Sequence, residues 1–192
     1  MTKIVLVGFP EATITNDIFN LICNDNLNVT ILHPDKFLND EFEKTDKFAV
    51  TVTRDILLRK QIINKLDQDN LQRATFVHKS CVVDPGSTIG DGTIMSQFSS
   101  VLYQSTIDKD CLIAPYCMIA HKSVVGQGTM LMPGSMIAGS TTVGKFCILG
   151  LRSSIIDNIN ICDDVQLGAG ALITKNISLP GHYVGAPARK VS

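Results

Sequence analysis

The chemistry available to this 192-residue chain lies in four histidines, six cysteines and a few glycines at turn positions. His121 is the histidine whose spacing singles it out. It sits in Met118-Ile119-Ala120-His121-Lys122-Ser123, with Tyr103 eighteen residues before it and Gly139 eighteen residues after it. An imidazole titrates near neutrality and suits proton removal from an attacking amine or hydroxyl. A glycine beside it leaves room for a reactant, and its backbone N–H can hold a developing oxyanion. His33, His78 and His182 have no such constellation and read as structural. The cysteines, Cys23, Cys81, Cys111, Cys117, Cys147 and Cys162, contain no C-x-x-C pair. They read as free thiols in a reducing compartment, and none has a neighbour that would activate it for covalent catalysis.

A strict repeat must position these residues. Every sixth residue from Val77 to Ile173 is aliphatic or Met, seventeen in all, without an insertion. The fifth residue of each hexad, from Cys81, Ser87 and Thr93 onward, is Ser, Thr, Cys or Ala in fourteen of the seventeen, with Ile159, Val165 and Ile177 as exceptions. Neither a 3.6-residue helix nor a period-2 strand keeps one phase for so long, so the pattern predicts a fixed-period solenoid. Each hexad is then one short strand and a turn, and three hexads make an 18-residue coil. Stacking at ~4.8 Å per coil gives a prism roughly 27 Å tall. The first residue of each hexad fills its core, and the small fifth residue lines the wall near a corner. A core that thin explains an aromatic content of 6% beside 45% hydrophobic residues, and it makes Cys81, Cys111, Cys117 and Cys147 wall residues rather than ligands. His121 is third in its hexad, a position otherwise held by turn types such as Pro85, Asp91, Pro115, Pro133 and Gly139, and projects from a corner.

Residues 1–76 follow another grammar. Strands are expected at Lys3–Gly8, Asn28–Leu32, Lys47–Thr53 and Arg73–Val77, with helices at Ala12–Asn24 and Asp55–Leu66. That alternation predicts a small parallel, Rossmann-like α/β domain. Its strand-ending loop, Gly8-Phe9-Pro10-Glu11-Ala12-Thr13, stands where such domains bind phosphates, yet it holds one glycine, a donor-less proline and an anion-repelling glutamate. Bound nucleotide would be held weakly there.

Segments such as Ile89-Gly90-Asp91-Gly92-Thr93 and Leu167-Gly168-Ala169-Gly170-Ala171 resemble the hexapeptide signature of acyltransferases built on a left-handed parallel β-helix. The order of domains, the stretch from Met118 to Gly139 and the ending Val184-Gly185-Ala186-Pro187-Ala188-Arg189 are similar to one bacterial group within them. That group comprises the sugar O- and N-acetyltransferases of the sialic-acid and UDP-4-amino-sugar type. The resemblance implies an α/β N-terminal domain (1–76), an all-β left-handed helix (77–178) and a C-terminal tail (179–192). It implies acetyl-CoA as co-substrate and a sugar or nucleotide-linked sugar as acceptor, with His121 as general base and Gly139 beside the thioester. Met130, Gly139, Leu151, Ala169 and Lys175 would line the acetyl-CoA site, Met130 standing where members carry a second histidine. Gly8 and Asp35 would meet the acceptor nucleotide. Members often follow the catalytic histidine with a carboxylate, and this chain has Lys122 there.

A net charge of −1 and a pI near 6.4 leave no basic footprint for nucleic acid. No apolar run approaches the roughly 20 residues of a membrane span. A cytoplasmic homotrimer is therefore expected, because an outward histidine with few same-chain polar neighbours needs a second subunit to complete a site. Two competing readings are a carbonic-anhydrase-type metalloenzyme, which needs three convergent histidines, and a catalytically silent scaffold that kept only the assembly.

Overall fold

The computed structural model describes residues 3–23, 28–53 and 55–191, which form two compact units, 1–76 and 77–192. In the first, β1 (Ile4–Val7), α1 (Thr13–Cys23), β2 (Val29–Leu32), α2 (Pro34–Asn39), β3 (Lys47–Val50), α3 (Ile56–Gln68) and β4 (Gln72–Arg73) alternate along the chain. The four strands form one parallel sheet in the order β2-β1-β3-β4. The expected elements up to Leu66 are present within a few residues, Asn24, the last expected helical residue, lies outside the described ones, and the strand expected at Arg73–Val77 is instead two, Gln72–Arg73 in this sheet and Phe76–Val77 in a sheet of the solenoid. Asp55 is not the first residue of α3 but its N-cap, accepting the Leu58 N–H at 2.9 Å. Buried Arg59, Ile62, Ile63 and Leu66, at helical spacing, turn one face of α3 inward. Helix α2 was not foreseen. His33 caps it, its Nδ1 accepting from Asp35 N at 3.3 Å, and Pro34 supplies the fixed φ of a first turn. The core of this unit is mainly aliphatic, with Leu6, Val7, Ile62, Ile63 and Leu66 fully buried, and it holds one aromatic cluster in which buried Phe37 and Phe48 and half-buried Phe42 sit with ring centroids 5.1–5.4 Å apart.

The second unit is a left-handed parallel β-helix of about six turns. Two-residue strands pair in parallel at a constant offset of eighteen, as in Thr88, Thr106, Val124, Thr142 and Asn160 on one wall and Val82, Ser100, Met118, Met136, Ser154 and Leu172 on another. The first residues of the hexads, from Met95 to Ile173, stack into one continuous buried column. Their size hardly varies, and this keeps the coils in register.

The small fifth residues do more than leave space. Ser99 Oγ donates to Ala114 O at 2.9 Å and accepts from Cys117 N at 3.0 Å. Ser105, Ser123, Thr129 and Thr141 repeat the same pair of bonds to residues fifteen and eighteen further on. The cysteines join in: Cys111, Cys117 and Cys147 donate their S–H to Gly126, Met132 and Cys162 carbonyls at 3.2–3.3 Å. Burial pushes the Cys117 thiol up to about 11 and the Cys147 thiol up to about 12. They are neutral structural donors, not nucleophiles.

The fourth residue of every hexad from Gly86 to Gly170 has positive φ, between 53° and 83°. From Asp110 to Gly170 its N–H donates back nineteen residues to the third residue of the coil before, as Ser140 does to His121 O at 2.8 Å. The chain from 179 onward is not a loose tail. Gly181–Gly185 adds in parallel to Val165–Leu167, and Ala188–Lys190 folds back on it antiparallel, so Tyr183 and Ala188 pack on the end of the core column.

Candidate active site

Stacking at a period of eighteen sorts the third residues into three edges. One edge carries Pro85, Tyr103, His121, Gly139, Asp157 and Lys175 in ascending coils. A second carries Gln97, Pro115, Pro133, Leu151 and Ala169. On the first edge, Lys122, Ser140 and Asn158 donate to the carbonyls of Tyr103, His121 and Gly139 at 2.8–3.0 Å. On the second, Gly134, Arg152 and Gly170 donate to Pro115, Pro133 and Leu151 at 2.8–3.0 Å.

His121 is exposed, and no hydrogen bond to its ring occurs among the described residues. Its imidazole lies against Gly139: a Cβ at that position would come within 2.6 Å of Nε2 and 3.0 Å of Nδ1. Any side chain at 139 would push the ring off its coil. The room left by the glycine is thus filled by the histidine itself, a correction to the expectation that it would be vacant for a thioester. The Gly139 N–H is not vacant either. It donates to Asp157 Oδ1 at 2.9 Å, one coil further on. Asp163 caps Lys145 N in the same way at 2.7 Å, so the device is a regular feature of these turns. On the histidine edge it places a carboxylate on the donor that the sequence assigned to an oxyanion.

The other expected cofactor residues divide between edges. Lys175 stands on the histidine edge three coils beyond His121, roughly 14 Å at the spacing of stacked strands. There it lines a cavity of about 290 Å³ with Arg189, Lys190, Thr174, Asn176 and Tyr183 at the C-terminal end of the prism. Leu151, 49% exposed, and Ala169, also exposed, are on the second edge. Met130 is on neither. It is fully buried on the wall opposite the His121 edge, where its strand pairs with those of Leu112 and Ile148, and so it cannot line an open groove in this chain. The structural histidine His78 bonds Ser80 Oγ through Nδ1 at 2.7 Å.

In the first unit, Gly8 and Asp35 follow the ends of the adjacent parallel strands β1 and β2, and the Phe9 and His33 rings meet edge-to-face with centroids 5.1 Å apart. Asp35 is exposed, 3.5 Å from His33 Nδ1. Gly8 is a correction: its N–H pairs with Leu32 O at 3.0 Å, and a Cβ there would meet Thr15 Oγ1 at 2.8 Å. The glycine is required by close packing of α1 and β3, and its donor is not available to a phosphate. Sequence reasoning missed Asp157 and the cavity. The third-residue register holds a signal for Asp157, and the terminal cations hold one for the cavity.

No profile of a known protein family matches the chain. Among solved structures, it is similar to the acetyltransferase domain of PglB from Neisseria gonorrhoeae, at 17% identity and a TM-score of 0.90 over the whole of both chains. It is similar to PerB of Caulobacter crescentus, solved with CoA and GDP-perosamine, at 19% identity and a TM-score of 0.87, covering all of this chain and 98% of that one. WeeI from Acinetobacter baumannii matches at 17% identity and a TM-score of 0.68, over 99% of this chain and all of the other. At these identities the likeness is one of fold. Among the described residues no helix is long and apolar enough to cross a membrane, and no three His, Cys, Asp or Glu side chains group as a metal-holding set.

Proposed function

We propose that the chain transfers acetyl from acetyl-CoA to an amino group of a nucleotide-linked sugar, with His121 as general base. The observation that carries this reading is the open His121 ring seated on Gly139, in a chain that shares its whole fold with a sugar N-acetyltransferase solved with CoA and an amino sugar nucleotide. The amine nitrogen attacks the thioester carbonyl, His121 takes its proton, and the tetrahedral intermediate collapses by breaking the C–S bond. The imidazolium then returns the proton to the departing CoA sulfur. Gly139 N–H serves the oxyanion once the Asp157 carboxylate turns away, an exchange of one anionic acceptor for another.

Lys175, Arg189 and Lys190 supply cations for the phosphate end of CoA, with Gly139 at the acyl end of the same edge. Leu151 and Ala169 present an apolar wall for the pantetheine arm, but from the second edge. Two edges of one convex prism cannot face each other, so these residues meet His121 only across copies. A homotrimer with parallel prism axes satisfies that requirement. Nucleotide would meet the first unit at Asp35, weakly, since Gly8 offers no donor.

His121→Ala tests the reading. The variant should keep the assembled mass and acetyl-CoA affinity, because the ring hydrogen bonds nothing in the described structure. Its kcat should fall about 10²–10⁴-fold, the usual worth of a general base. CoA thiol release with a panel of nucleotide-linked amino sugars reads the outcome. Near-normal turnover would place the base elsewhere.

A further inference from the structure

Only three Phe or Tyr side chains are exposed among the described residues, and all three cluster around His121 along the prism. Tyr116 is at the second edge on the coil of His121 itself. Phe98 is directly below it, one coil nearer the N-terminal end of the prism, and Tyr103 is directly below His121 on the histidine edge. They remain 62%, 58% and 53% exposed although the Phe98 and Tyr116 rings stack on one another with centroids 5.2 Å apart.

Two further facts make this more than loose surface. Phe98 and Tyr116 occupy the positive-φ corner at 59° and 62°, a conformation that disfavours a bulky side chain by roughly 1–2 kcal/mol. At the other such corners stand Gly, Asp, Asn, Ser, Gln, Lys and Arg, residues that tolerate the turn or are solvated there, and one further aromatic, Phe146, which is half-buried on the remaining edge. A departure from local preference that leaves both rings more than half exposed, their mutual stacking apart, points to a functional position. Second, the residues proposed to hold acetyl-CoA, Leu151, Ala169 and Lys175, all lie on coils to the C-terminal side of His121. The space left beside the imidazole for the acceptor is on the other side, where the aromatics stand.

We infer that Phe98, Tyr116 and Tyr103 form the acceptor wall of the site and determine its specificity. Phe98 and Tyr116 of one copy face Tyr103 and His121 of the next, and the sugar ring lies between them with its C–H face on the stacked rings. Aromatic faces are electron-rich and hold such C–H surfaces without demanding a hydrogen-bond pattern, while the Tyr103 hydroxyl is placed to meet one polar group of the ring. This rests on the acyltransferase reading and the assembly above.

The test is the double variant Phe98→Ala/Tyr116→Ala, assayed with GDP-perosamine and dTDP-4-amino-4,6-dideoxyglucose as acceptor probes. The KM for the probe that the native protein uses better should rise about ten-fold, the loss of two aromatic contacts. Acetyl-CoA affinity by calorimetry and assembled mass by light scattering should stay unchanged, and Tyr116→Phe should behave as the native chain. An unmoved acceptor KM overturns the inference, as does a fall in assembled mass, which would make the pair a packing contact between copies. Equal losses for acceptor and acetyl-CoA overturn it as well. The two ideas fail separately: absence of acetyl-CoA binding by the native chain sinks the acyltransferase reading. Intact acetyl-CoA binding with neither probe bound in calorimetry sinks the acceptor wall alone.

Discussion

The two units of this chain bury their apolar side chains by opposite strategies. In residues 1–76 the core is a one-off assembly of unlike side chains, in which the Phe37, Phe42 and Phe48 rings pack on one another beside the aliphatic residues of the sheet and of α3. In the solenoid each interior residue meets a near-copy of itself above and below, and the wall is tied by the Ser, Thr and Cys bonds that recur every coil. Stability is concentrated in a few side chains in the first case and spread over many small equal terms in the second. The same contrast governs chemistry. A ladder built of repeats must break its rule to make a site, and the proposed site, His121 on Gly139, stands at such a break.

Truncation should expose the difference first. Phe37→Ala removes a fully buried ring and should lower unfolding free energy by about 3–5 kcal/mol. Cys117→Ala removes one sulfur and one S–H donor and should lower it by about 1 kcal/mol, the worth of a single net hydrogen bond and a small cavity. Denaturant unfolding of each variant measures both. A loss at Cys117 equal to that at Phe37 would show that the ladder is as concentrated as the core of the first unit.

The next largest effect separates packing from catalysis at two turn glycines. Gly139→Ala puts a Cβ where the His121 ring now lies, 2.6 Å from Nε2, so the imidazole must shift by about an ångström. Displacement on that scale lowers turnover by up to about 10²-fold. Gly90→Ala should behave otherwise, because its new methyl meets backbone at 2.6 Å and disturbs the coil rather than a reacting group. Thermal unfolding should therefore move for Gly90→Ala and catalysis for Gly139→Ala. Unchanged kcat in Gly139→Ala would mean that the ring position seen here is not the reactive one.

What the sequence reveals follows from the same contrast. A period of six over seventeen hexads predicts the strand pairing residue by residue, because a single offset of eighteen generates every neighbour. It brings Tyr103, His121 and Gly139 together without any coordinates. Periodicity says nothing about where a side chain with several partners will turn. That is why the vacant oxyanion donor expected at Gly139 proves to be capped by Asp157, and why Met130, plausible by resemblance, lies on the far wall. In the first unit the alternation of elements is legible, but α2 depends on a His33 cap and Pro34, a signal only two residues long. Gly8 looked like an eroded phosphate loop, and the packing of Thr15 and Thr51 against it gives its actual reason.

The smallest expected effect tests the thiols of the ladder. Burial holds Cys117 and Cys147 protonated up to about 11 and about 12, against an ordinary value of 9.0. In the unfolded chain the same thiols ionise from pH 9 upward. There the unfolded state binds fewer protons than the native one, so stability falls with rising pH. The contribution is complete below pH 9 and is lost progressively as the pH rises through 11 to 12. The native chain alone does not isolate the thiols. The double variant Cys117→Ser/Cys147→Ser does. Serine already makes the equivalent bonds at Ser99 and Ser105, so at pH 7 the variant should stay within about 1 kcal/mol of the native chain. Between pH 9 and 11 its denaturation midpoint should fall less than that of the native chain, and the gap should widen with pH. Parallel curves across that range would mean that the buried thiols carry none of the alkaline loss and that the ladder is held by its hydroxyls alone.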